Sequence, residues 1–101
     1  MADSAPDPQF FAIADAVIRT ANAQCDAAPA TKVSAATLFA AARFNAFAAA
    51  AAAPTSNELA ARRESIVAFL VEQYTQMLRD NLTDYEQNFE RWTPPARPTA
   101  S

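Results

Sequence analysis

The sequence predicts an all-α protein, an antiparallel three-helix bundle with a long third helix. The chain has 101 residues and no glycine, which excludes the tight Asn-Gly hairpins of small β proteins. Apolar residues recur at spacings of three and four in three successive segments, as on one face of a helix. Prolines and capping side chains separate those segments. This length is enough for one domain and not for two.

The first two helices are bounded by local signals. Asp7 is a good N-cap with a proline behind it, so helix one is predicted over Pro8–Asp26. Helix two is predicted over Ala35–Ala53, with Ser34 as its cap and Pro54 beyond it. Because helix two is apolar on all sides and carries only Arg43 as a charge, we expect it to be buried.

Helix two is also long enough to span a bilayer. It is mostly alanine, and a central arginine costs about 2.5–3.5 kcal/mol on membrane-insertion scales. Alanine offsets little of that cost. We therefore expect no transmembrane segment.

The third helix opens with a capping box, in which Thr55 is the cap and Glu58 follows three residues later. An apolar stripe then keeps one phase to the end of the segment, so we predict a continuous helix over Asn57–Trp92. A second capping box at Thr83 supports an alternative. In that alternative the helix breaks near Asn81–Thr83 and a short fourth helix follows.

The length of helix three predicts an interface. Helices one and two would each measure roughly 29 Å and helix three roughly 54 Å at the usual rise. The excess turns carry large apolar side chains that a soluble monomer rarely leaves uncovered. We expect a homo-oligomer or a helical protein partner to cover them. The candidate interface residues are Phe39, Leu82, Tyr85, Phe89 and Trp92.

The sequence contains few of the residue types that enzymes use for catalysis. The chain has no histidine, which removes most acid–base, metal-binding and triad arrangements. The lack of glycine excludes phosphate-cradling loops. Cys25 has no nearby base, so we expect a reduced, buried thiol. The acidic residues near the end of helix three are interpreted as a solvated face. We predict no catalytic residue, no cofactor and no metal.

Arg43 supports an alternative function. A lone arginine in an apolar setting should pair with a carboxylate or lie at a rim. If it does neither, then Asn22, Arg43 and Asn45 could line a polar pocket for a small ligand. A third, weaker interpretation is adsorption to an apolar surface through amphipathic helices.

Charge and termini restrict partners and location. A net charge of −3 argues against nucleic-acid and anionic-membrane partners. The N-terminus is acidic and lacks the basic and then apolar character of a signal peptide. We therefore expect a cytoplasmic protein, with a helical domain over 8–92 between disordered tails at 1–7 and 93–101.

Several short stretches of the chain have a familiar sequence. They are Ala21-Asn22, Gln24-Cys25, Lys32-Val33-Ser34-Ala35, the segment from Ala40 to Phe47, Gln73-Tyr74, Met77-Leu78, Asn81-Leu82, Asp84-Tyr85 and Asn88-Phe89. Together they resemble a family of small proteobacterial proteins, the domain of unknown function 3144. The resemblance covers about Phe10 to Trp92. It implies a bacterial, cytoplasmic protein and brings no activity, cofactor or catalytic residue.

Overall fold

Helices follow one another along residues 7–92, the part of the chain that the computed structural model describes. No strand occurs within that range, and the predicted all-α class with three long helices and a short fourth is confirmed. The helices are α1 (Pro8–Gln24), α2 (Ala30–Ala52), α3 (Ser56–Gln87) and α4 (Phe89–Trp92). Of the tails predicted at 1–7 and 93–101, residues 1–6 and 93–101 lie outside the described residues.

The chain divides into two compact units, and the boundary falls within α2. Of the described residues, 7–41 belong to the first unit and 42–92 to the second. The first unit therefore holds α1 and the beginning of α2. The second unit holds the remainder of α2 together with α3 and α4.

Helix α1 begins as its sequence predicts. The Asp7 carboxylate accepts a hydrogen bond of 2.8 Å from the backbone N–H of Phe10, and Pro8 occupies the first turn. The last turn closes with a 3.1 Å bond from the N–H of Ala28 to the carbonyl of Gln24. The helix therefore ends two residues before the predicted Asp26, because the chain leaves the helical ladder in the turn before Pro29.

Both N-caps should contribute measurably to stability. We expect Asp7→Ala and Thr55→Ala each to lower the free energy of unfolding by about 1 kcal/mol, because each leaves a first-turn N–H without its acceptor. Urea denaturation followed by circular dichroism measures this difference. Asp15→Ala, which removes an exposed carboxylate from the middle of α1, is the matched control. Equal stability of Asp7→Ala and wild type would show that the cap contributes nothing.

Helix α2 starts earlier than predicted. Its first residue is Ala30 and not Ala35, so Ser34 lies inside the helix and is not its cap. The carbonyl of Pro29 accepts the N–H groups of Lys32 and Val33 at 3.0 and 3.1 Å. Nothing in the sequence between Pro29 and Ser34 opposes a helix, which explains why it begins directly after the proline.

The prediction that α2 is buried is wrong. Val33, with 9% of its surface exposed, is the one buried residue among those that the structure describes. Alanine-rich turns offer little area to pack, so the large side chains of α2 remain in contact with solvent. By length and composition alone α2 could also cross a membrane, with a mean hydropathy of 1.3 over its most apolar window.

Helix α3 continues through the predicted break. The Asn81 side chain donates to the carbonyl of Met77 at 2.8 Å, so it bonds back along the helix and does not end it. The chain leaves helical geometry at Asn88, with φ −124° and ψ 36°. There the Asn88 amide donates to the Asp84 carboxylate at 2.9 Å. The helix therefore does not run unbroken to Trp92, and the break lies after Gln87, not near Asn81–Thr83.

Candidate interaction surface

An uncovered apolar face runs along the second half of α3. Its α3 residues follow one another at spacings of three, four and seven, which places them on one side of the helix. Phe89, the first residue of α4, follows four residues after the last of them. Each of these side chains keeps between 42% and 63% of its surface exposed. We call this face the α3 seam. It consists of Val71, Leu78, Leu82 and Tyr85 on α3 and of Phe89 on α4.

A different side of α3 faces α2 within the second unit. Ile66 and Leu70 are half-buried there. An open groove of about 400 Å³ is lined by residues of both helices. The groove is lined by Asn45, Ala48, Ala49, Ser65, Ile66, Phe69 and Leu70.

The sequence predicted part of the α3 seam. Leu82, Tyr85 and Phe89 were expected at an interface, and all three lie on the exposed face. Val71 and Leu78 were not singled out, although their spacing to Leu82 was the signal that could have found them. Trp92 ends α4, and its side chain lies outside what the structure describes.

Aromatic side chains are exposed on α2 as well. Phe39, the remaining candidate interface residue, lies in the first unit with 72% of its surface exposed. In the second unit Phe44 and Phe47 lie with ring centroids 5.6 Å apart, and both are largely exposed. Apolar surface is therefore uncovered in each unit considered by itself.

The three residues of the predicted polar pocket belong to different units. Asn22 lies on α1 in the first unit, and Arg43 and Asn45 lie on α2 in the second. Of the three, Asn45 lines the groove and Arg43 does not. Arg43 is exposed, and within residues 7–92 the ion pair that forms is Arg62 with Glu58, at 3.3 Å. The expected carboxylate partner of Arg43 is not found there.

Cys25 is exposed, so its predicted burial is wrong. Its sulfur lies 3.8 Å from the carbonyl of Ala21, one turn earlier in the helix. The cysteine follows the last residue of α1, where little packs against it.

The acidic end of α3 is held by local hydrogen bonds. The Asp80 carboxylate accepts from the Gln76 amide at 3.0 Å, and Asp84 accepts from Asn88. Among residues 7–92 no group of three or more potential ligands lies close enough to hold a metal ion.

The chain belongs to a family described as "Protein of unknown function (DUF3144)", whose model matches residues 10–86. The resemblance seen in the sequence is thereby confirmed. No curated protein and no solved structure shows significant similarity to the chain.

Proposed function

We propose that this chain is a non-enzymatic helical interaction module that associates with further copies of itself in the cytoplasm. The observation that carries the proposal is the exposure of its large apolar side chains. Val33 is the one buried apolar residue that the structure describes, while most of the phenylalanine, leucine, isoleucine and valine side chains on α1, α2 and α3 keep 42–72% of their surface exposed. Water is a poor environment for that much apolar area.

The α3 seam alone is as large as the largest apolar patch of a typical monomer. An aromatic side chain buries 150–250 Å², so five half-exposed apolar side chains present on the order of 400–500 Å². The largest apolar patch on a typical monomer is about 300–600 Å² and is often functional. The exposed phenylalanines of α2 add to that area. Covering these faces would stabilise the fold and provide the function.

We take a second copy of the same chain as the partner that covers these apolar faces. Most soluble oligomers are homo-oligomers with closed symmetry, and a two-fold axis lets the same face cover itself. A membrane is a weaker occupant for α2, because Arg43 lies in its middle and an arginine at the centre of a bilayer is costly. The net charge of −3 also disfavours an anionic lipid surface.

Light scattering coupled to size-exclusion chromatography tests the proposal. We expect the full chain to elute with at least twice the monomer mass of 10.8 kDa and to dissociate on dilution. A strict monomer at high micromolar concentration would overturn the proposal. Flotation with neutral phosphatidylcholine vesicles is the companion measurement. Transfer of the protein to those vesicles would assign the apolar faces to lipid and would also overturn it.

A further inference from the structure

We infer that two copies pair antiparallel along the α3 seam, with the two-fold axis passing α3 between Gln76 and Met77. This inference rests on the proposed self-association and specifies its geometry. The seam continues the pattern of a two-helix coiled coil, in which core positions alternate at spacings of three and four. Along α3 these positions are Ala68, Val71, Thr75, Leu78, Leu82 and Tyr85.

In this register large side chains meet small ones across the axis. Val71 packs against the partner's Leu82, and Thr75 packs against the partner's Leu78. Ala68 leaves room for the partner's Tyr85. Alternation of large and small residues across facing positions is how helical cores fill space without strain. The overlap lies almost entirely within α3, which is continuous over Ser56–Gln87.

Charge selects this register from its neighbours. Glu72 and Arg79 both flank the seam on the same side, and both are exposed. Neither side chain has a hydrogen bond or an ion pair within the described residues, whereas nearby Asp80 and Asp84 are both hydrogen-bonded. With the axis between Gln76 and Met77, each Glu72 lies opposite the Arg79 of the partner, so two ion pairs form.

The neighbouring registers are poorer. Moving the axis half a heptad towards the C-terminus places Arg79 opposite its own copy and Glu72 opposite the partner's Glu86, and like charges at those positions repel. Moving it a full heptad pairs Arg79 with Glu86. That register leaves Val71 facing residues beyond the end of α4. Moving the axis half a heptad towards the N-terminus lengthens the overlap of the two α3 helices but places Glu72 opposite its own copy, and these like charges repel. Of the four registers, the proposed one combines attractive charge pairs with the longer helical overlap.

The area is sufficient for a modest dimer. The register covers the seam residues from Val71 to Tyr85 and brings Val67 and Tyr74 to the edge of the contact, all of them 42–57% exposed. A large side chain buries about 150–250 Å², so these half-exposed side chains together present roughly 500 Å² of apolar surface per protomer. The aliphatic parts of Glu72 and Arg79 add to this. A stable interface buries about 800 Å² per partner, so we expect reversible association.

A charge-swap experiment on the full chain tests the register. Sedimentation equilibrium of Arg79→Glu and of Glu72→Arg should each show a dissociation constant raised about tenfold, because each change replaces two attractive pairs with two repulsive ones. The double variant E72R/R79E should return to within about threefold of wild type. A mixture of the two single variants should form heterodimers tighter than either homodimer, since both of its cross-pairs are attractive.

The matched control is R79E/E86R, which swaps the same charges one heptad further along. The proposed register predicts no rescue by this control, and rescue would place the axis one heptad away and overturn the inference. A dimeric wild type whose E72R/R79E variant is not restored would also overturn it while leaving self-association intact. A monomeric wild type would contradict the proposed function itself. Far-UV circular dichroism of every variant verifies that the helices are retained.

Discussion

Replacing Leu78 and Leu82 together with glutamate is expected to convert the protein into a monomer. Both side chains lie in the α3 seam with about half of their surface exposed. In the proposed dimer they would become buried, and a buried carboxylate without a partner is strongly unfavourable. Four such charges would enter each dimer. We expect the dissociation constant to rise at least a hundredfold, which corresponds to ~2.8 kcal/mol.

The matched control carries the same two negative charges on another side of the same helix. Thr83 and Gln87 are exposed and lie away from the seam at the helical repeat of about 100° per residue. Light scattering should show that T83E/Q87E keeps the wild-type mass, while far-UV circular dichroism shows both double variants equally helical. If the two double variants dissociate to the same extent, the seam is not the interface.

Asp84→Pro is expected to remove the last turns of α3. In a continuous helix the N–H of residue 84 donates to the carbonyl four residues earlier. Proline removes that bond and its ring clashes with the same carbonyl, at a cost of about 3 kcal/mol. We therefore expect a smaller far-UV helical signal and weaker self-association. If a helix instead began with Thr83 as its cap, proline at the following position would be tolerated.

Ser56→Pro is the control for that experiment. Ser56 is the first residue of α3, directly after the Thr55 cap, and proline is accepted there because its N–H has no partner in the helix. Asp84→Ala separates the loss of the carboxylate bond to Asn88 from the effect of the proline. A wild-type circular dichroism spectrum for Asp84→Pro would contradict a helix that continues through Asn81–Thr83.

The start of α1 and the start of α3 could be predicted because their causes are local. Asp7 and Thr55 each lie three residues before the N–H that they accept. A capping bond of this kind needs no contact from elsewhere in the chain. The same reasoning failed for α2, because Ser34 is a capable cap but the helix begins directly after Pro29, at Ala30, five residues before the predicted Ala35.

The sequence by itself determined the helical class, the number of long helices and the apolar stripe on α3. These follow from periodicity and from the absence of glycine, which act within a few residues. Burial was decided only by the tertiary structure. A helix that is apolar on all sides is normally buried, yet α2 exposes Phe39, Phe44 and Phe47. Alanine side chains offer little apolar area, so packing another helix against the alanine-rich turns of α2 would stabilise the fold only weakly. What covers a face depends on residues distant in sequence or in another chain, and no local pattern encodes that choice.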